Sequence, residues 1–107
     1  MKKQKEKNAQ EAQQFKEKVV SWAKRIKVQP EQVRLQKMTR KWASHSTSGR
    51  MTFSTDLLNE SDRFQDYVIV HELLHMRIPN HGRLFKSVLS AYVPEWRRCT
   101  CVQFDSK

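Results

Sequence analysis

The residues with the clearest chemical potential are His71-Glu72-Leu73-Leu74-His75, which form an HExxH motif. In an α-helix, residues i and i+4 lie on the same face, so both imidazoles can bind one metal ion while Glu72 sits beside it. A catalytic zinc site needs three protein ligands and one open position. His81 follows after the break at Ile78-Pro79-Asn80 and supplies the third ligand. The pattern HExxHxxxxxH therefore predicts one Zn²⁺ per chain.

The alternative interpretation is that these histidines are ordinary. HExxH is short enough to occur by chance in helices, where partly buried histidines at i and i+4 hydrogen bond to the backbone. Three features favour a metal site: the third histidine, the helix break before it, and the apolar lead-in from Tyr67 to Val70. Zinc is favoured over iron because no pattern of two histidines and one carboxylate, typical of iron oxygenases, is present.

The predicted chemistry follows from the charge of the metal. Zinc bound by three neutral imidazoles lowers the pKa of its water to about 7. Glu72 can then act as general base while that water attacks a carbonyl carbon, which predicts peptide hydrolysis. A group that stabilises the oxyanion is also expected. His45, Arg83 and Tyr92 are the candidates for contacts with the transition state or the substrate.

The N-terminal half of the chain predicts a helix followed by a hairpin. Phe15, Val19, Trp22 and Ile26 recur at helical spacing, which predicts an amphipathic helix from about Lys5 to Lys27 that ends before Pro30. Apolar and polar residues then alternate from Val33 to Ser54 around a turn at residues 47–49. Gly49 is available for a positive φ there.

The C-terminal half predicts the helix that carries the motif and one more. The active-site helix is expected from about Asp62 to residue 76 or 77, capped by Asn59 or Ser61. It stops there because Pro79 disfavours a helical conformation at residue 78. Another helix should run from about residue 80 to Pro94, and residues 100–104 alternate like a short strand.

Composition limits the class of protein. The chain has 107 residues, 37% of them hydrophobic, and a net charge of +10, which indicates one thin-cored domain over 1–107 with an anionic partner. No apolar stretch is long enough to span a bilayer, and the N-terminus lacks an apolar signal region, so a cytoplasmic protein without membrane contact is expected. Cys99 and Cys101 are interpreted as reduced thiols, since a single intervening residue would strain a disulfide. A second metal site there is not expected, because the chain lacks a matching pair of ligands.

The charge is uneven along the chain. Residues 1–27 carry a balance of +6 and residues 28–50 add five basic side chains against one acidic, whereas residues 51–76, which hold the motif, carry −4. The basic residues either form a solvated face or bind the phosphates of DNA or RNA without sequence specificity. The candidates for phosphate binding are Lys16, Lys18, Lys24, Arg34, Lys37, Arg40, Lys41 and Arg50.

Several blocks of the sequence resemble the YgjP-like metal-dependent hydrolases, which are similar in turn to the WLM and SprT-type DNA-associated proteases, all zincin-like metallopeptidases. The blocks are Arg40 to Ser46, Gly49-Arg50-Met51, Leu57-Leu58, Asp66 to Leu73, Asn80-His81 and Phe85. They cover roughly residues 28–98. The resemblance implies zinc ligands at His71, His75 and His81, a general base at Glu72, and a sheet edge that holds an extended substrate.

The chain departs from this family at several positions. The Trp-Gly-Ser-Cys-Ser block of the family appears as Trp42-Ala43-Ser44-His45-Ser46, so His45 replaces a cysteine. Gly82 and Lys86 stand where members often carry Ser and Trp. Relatives also have more chain before the sheet.

The sequence thus predicts an α+β, minimal zincin-like domain: a basic N-terminal helix (1–27), a family-like core (28–98) with a small antiparallel sheet and hairpin, the HExxH helix and a C-terminal helix, and a tail (99–107). The predicted function is zinc-dependent hydrolysis of polypeptides, with nucleic-acid-associated proteins as candidate substrates. The alternatives are a metal-dependent nucleotide phosphohydrolase and a nucleic-acid or partner-binding module with a vestigial zinc site. The oligomeric state is left open.

Overall fold

The structure is a computed structural model that describes residues 2–46, 48–78 and 82–94. In chain order the elements are α1 (Lys2–Ile26), β1 (Gln32–Gln36), β2 (Ala43–His45), β3 (Arg50–Ser54), a 3₁₀ helix (Thr55–Asn59), α2 (Asp62–His75) and α3 (Arg83–Tyr92). The α+β class is confirmed. Four predicted features lie outside the described residues: the third ligand His81, the break at residues 79–80, the strand at 100–104 and the two cysteines.

Helix α1 packs through the apolar stripe that its spacing predicted. Phe15, Val19, Trp22 and Ile26 are all buried, and the ring of Phe15 meets that of Phe53 edge to face at 5.3 Å. The helix ends at Lys27, which has φ 68°, and the amide of Val28 donates back to the carbonyl of Ala23. This is a left-handed C-terminal cap formed without glycine.

The three strands form a mixed sheet in the order β1-β3-β2. Strand β2 pairs antiparallel with β3, as the hairpin predicted, whereas β1 pairs parallel with β3. The prediction of an antiparallel sheet is therefore right for the hairpin and wrong for β1. The chain reverses direction between β1 and β2 and again between β2 and β3. Strand β3, which takes the central position, therefore runs in the same direction as β1.

Each strand has one buried and one exposed face. Met51 and Phe53 of β3 and Ala43 of β2 are buried against the helices. On the other side, Gln32, Arg34, Gln36 and Arg50 are exposed. We call this second side the outer sheet face. The described part of the molecule thus has two layers, with the helices on one side of the sheet.

Helix α2 is the central element of the core. The side chain of Ser61 caps it by accepting from the amide of Phe64, which confirms one of the two predicted caps. Ten of its fourteen residues are buried, far more than one face. Such all-round burial is typical of a helix that packs on several neighbours, here the sheet and helices α1 and α3.

Polar contacts fasten α1 to α2. The indole Nε1 of Trp22 donates to Asp66 Oδ1 at 3.0 Å, and Lys18 Nζ lies 3.3 Å from Asp62 and 3.5 Å from Asp66. Arg77 donates to the carbonyl of Ile26 at 3.0 Å. The basic helix is therefore tied to the acidic segment that carries the HExxH motif.

Among the helices in the described part of the chain, none has the length and apolar character required to traverse a bilayer.

Candidate active site

The two histidines of the motif share one face of α2, as their spacing predicts. The ring centroids of His71 and His75 are 4.8 Å apart, with the planes at 78°. Both rings contact Phe85 of α3, at 5.3 Å and 5.1 Å. Phe85 of helix α3 therefore packs against both imidazoles and restricts their orientation.

Glu72 is a buried carboxylate held between two imidazoles. Its side chain is 1% exposed, and its Oε1 lies 2.9 Å from His45 Nδ1. Its Oε2 lies 3.5 Å from His71 Nδ1. Burial alone raises the pKa of Glu72, but the hydrogen bond with His45 and the close approach of His71 outweigh it and lower that pKa to about 2. Glu72 is thus ionised at neutral pH and can act as a base.

Strand β2 brings His45 to the motif. Ala43 and His45 project from the same side of the strand because side chains alternate, and Ala43 is buried toward the helices. The His45 ring stacks on that of His75, with centroids 5.2 Å apart and an interplanar angle of 18°. Sequence reasoning named His45 as a candidate substrate contact and missed its pairing with Glu72. The alternation along β2 was the signal that could have revealed it.

The residues present fit a metal ion. Glu72 Oε2 is buried and has no hydrogen-bond partner among the described residues. Two imidazoles on one helical face are ligands that suit a divalent cation of the zinc type. Within residues 2–46, 48–78 and 82–94, no group of three metal-binding side chains occurs. The predicted third ligand, His81, lies outside these ranges.

Tyr92 and Arg83, the other two predicted substrate contacts, make no described contact with the motif residues. The ring of Tyr92 packs edge to face on Trp22 at 5.9 Å, and its hydroxyl donates to the carbonyl of Arg25 at 3.4 Å. Tyr92 therefore faces α1, and the structure does not bring it to Glu72. Arg83 is exposed at the first residue of α3.

The predicted phosphate-binding residues do not form one surface. Lys18 is engaged by Asp62 and Asp66. Lys16 and Lys24 are exposed on α1, whose buried side packs on the inner face of the sheet. The remaining five are exposed on the strands or in the loop after β1: Arg34, Lys37, Arg40, Lys41 and Arg50. Lys16 and Lys24 on α1 therefore lie on a different side of the molecule from Arg34 and Arg50 on the outer sheet face.

The loop after β1 borders an open pocket of about 210 Å³, lined by residues 38–42 together with Ser54 and Asp56. Lys37 lies 3.8 Å from Asp56, so one of the loop cations has an acidic neighbour. Arg40 and Lys41 are among the residues that line this pocket.

A family model described as YgjP-like, metallopeptidase domain, matches residues 2–101. The match therefore includes α1, the sheet, the HExxH helix and α3. No match was found among curated proteins or among solved structures.

Proposed function

The chain belongs to the YgjP-like metallopeptidase domain family, and on that premise we propose that it is a zinc-dependent peptidase that hydrolyses polypeptides with Glu72 as general base. The family implies a metal-dependent hydrolase. The observation that carries the finer proposal is the buried carboxylate of Glu72, 3.5 Å from His71, whose imidazole packs against that of His75.

Each residue has a defined role in this proposal. His71, His75 and His81 would hold the ion, one Zn²⁺ per chain. When bound, zinc acidifies a water molecule and polarises the carbonyl of the scissile bond. Glu72 accepts the proton of the attacking water on a carboxylate oxygen. It then returns that proton to the amine that leaves, so one carboxylate serves as base and then as acid.

The test combines metal analysis with hydrolysis of an unfolded polypeptide. Protein purified without chelator should contain about one zinc per chain. Glu72→Gln should keep the zinc and lower kcat by at least 10²-fold, the contribution typical of a general base. His81→Ala should lose zinc. Two outcomes would overturn the proposal. In the first, the wild type contains no metal and His81→Ala changes neither metal content nor hydrolysis. In the second, the protein hydrolyses nucleoside triphosphates but not polypeptides.

We also propose that the exposed cations of the strands bind nucleic-acid phosphates, so that the peptidase acts on proteins bound to nucleic acid. Arg34 and Arg50 lie on the outer sheet face and two positions apart in the register of β1 and β3, which places their Cα atoms about 8 Å apart. No acidic side chain lies on the outer sheet face within the described strands. Charge complementarity therefore supports a polyanion at this face.

Binding to a fluorescently labelled single-stranded oligonucleotide tests this surface. We expect Arg34→Gln/Arg50→Gln to weaken binding and to reduce the slope of log K against log salt by about 1 to 2. Lys16→Gln/Lys24→Gln is the matched control, because it removes the same charge from the exposed side of α1. Equal weakening by both pairs would mean that only net charge matters, and the assignment to this face would be wrong.

A further inference from the structure

The contact between His45 and Glu72 has a defined direction. As the base of the proposed hydrolysis Glu72 is ionised, and an ionised carboxylate only accepts hydrogen bonds, so His45 Nδ1 donates to Glu72 Oε1, 2.9 Å away. The acceptor side chain is 1% exposed while the donor side chain is 36% exposed. A hydrogen bond to a buried charge is stronger than a neutral one on the surface.

This bond distinguishes the two carboxylate oxygens of Glu72. The terminal torsion of a glutamate is broad, so an isolated carboxylate can rotate and exchange its oxygens. The donor at Oε1 opposes that rotation. Oε2 then remains as the oxygen without a hydrogen-bond partner among the described residues, 3.5 Å from His71 Nδ1 and on the side of the motif histidines.

His45 is itself held firmly. It pairs with Met51 across the β2–β3 ladder, and the next amide, that of Ser46, donates to the carbonyl of Arg50 at 2.9 Å. Its ring stacks on His75. A donor fixed by backbone pairing on one side and ring stacking on the other can orient its acceptor without a large loss of entropy.

We propose that His45 is a positioning residue for the hydrolysis: it holds Glu72 Oε1 so that Oε2 is the oxygen that takes the proton. The proposal rests on the proposed peptidase function and deepens it. His45 acts through Glu72 and need not touch the substrate. Supporting partners of this kind around a metal site contribute about 10- to 100-fold to activity or metal affinity.

Two variants at position 45 separate the donor from the ring. His45→Asn keeps an N–H donor close to the place of Nδ1, whereas His45→Leu has a similar volume and no donor. We expect His45→Leu to lower kcat about 10- to 100-fold with KM changed less than about twofold and zinc content unchanged. His45→Asn should recover most of kcat. Ser44→Ala, on the opposite face of β2, is the control and should leave kcat unchanged.

A stability measurement tests the same contact without turnover. In chelator-treated protein, a double-mutant cycle of His45→Leu and Glu72→Gln should show a coupling of about tenfold or more in the unfolding equilibrium constant. Additive effects would overturn the contact. If the cycle shows coupling and the zinc-loaded wild type hydrolyses nothing, the peptidase function fails while the contact stands. If the wild type hydrolyses polypeptide and His45→Leu keeps full kcat, the positioning role fails.

Discussion

Glu72 is a charged side chain in a place where charge is costly. Its carboxylate is 1% exposed, and burial in low dielectric disfavours the ionised form. The imidazoles of His45 and His71 reverse this effect and hold the pKa at about 2. The site therefore keeps a base ionised inside the core, at the cost of requiring both neighbours to be in place.

This depressed pKa predicts acid sensitivity in the metal-free protein. Because the pKa is about 2 in the folded state and 4.5 in the unfolded state, the ionised carboxylate contributes stability above pH 4.5 that is lost as the pH falls toward 2. Between pH 5 and 2, wild type should lose up to about 3 kcal/mol more than Glu72→Gln. Urea unfolding of both proteins in chelator measures this difference, and parallel pH profiles would contradict it.

The sequence was sufficient to find some residues of the site and not others. His71, Glu72 and His75 could be predicted because all three lie on one helix, where spacing determines which side chains share a face. The partner of Glu72 could not be predicted in the same way. His45 lies 27 positions earlier in the chain, and its contact depends on strand order and register, which are tertiary properties.

At the scale of elements, the β2–β3 hairpin depends on one backbone conformation. Gly49 has φ +98°, and a Cβ added there would lie 3.4 Å from the amide nitrogen of Glu31. The amide of Glu31 donates to the carbonyl of Gly49 at 2.8 Å. The turn therefore also anchors the segment that leads into β1.

Gly49→Ala should destabilise the protein by about 1 to 2 kcal/mol, because an L side chain is strained at this φ. The matched control is Gly82→Ala, since a Cβ at Gly82 meets no atom of the described residues within 4 Å and the residue has φ −80°. Equilibrium unfolding in urea measures both variants. Equal effects of the two substitutions would show that the turn conformation is not the cause.

The attachment of α1 to α2 rests on a specific bond as well as on apolar contact. Trp22→Phe keeps an aromatic ring and removes the donor to Asp66, so we expect a loss of about 1 to 2 kcal/mol in the free energy of unfolding. Val20→Ala on the same helix is the control. Val20 is 48% exposed, and its truncation should change stability by less than about 0.5 kcal/mol.

Helix periodicity predicted α1 well, since it is long and its apolar residues repeat. The bounds of α2 were predicted from its N-cap residue and from Pro79, because its burial extends around the helix and gives no single apolar face. The 3₁₀ helix at Thr55–Asn59 was not predicted, because Leu57 and Leu58 alone establish no period. The parallel pairing of β1 was also missed. Alternation in Val33 and Leu35 identifies a strand and its buried face, but it does not say which neighbour the strand will pair with.

At the scale of the whole molecule, the proposed zinc ion links the centre of the core to the segment after α2. His71 and His75 belong to the most buried helix, and His81 follows it in the chain. A ligand that binds only the folded state stabilises it by mass action. A domain with 37% hydrophobic residues has little core to spare, so this contribution matters.

We expect free zinc at about 100 times its Kd to raise the free energy of unfolding by about 2.7 kcal/mol relative to chelator-treated protein. Thermal unfolding with and without zinc measures the shift. Glu72→Gln should keep it, while His71→Ala and His75→Ala should lose it. A shift that persists in both histidine variants would mean that zinc binds elsewhere on the chain.

The alternation of side chains along β2 makes the length of the surface turn at residues 46–49 a determinant of the chemistry. Inserting or deleting one residue there shifts the strand by one position, which rotates His45 to the solvent side and presents a serine to Glu72. Such an indel leaves the residue types of the site unaltered and yet replaces the partner of the base. The length of this hairpin therefore determines which residue faces Glu72. In homologous chains it should be compared together with the HExxH residues.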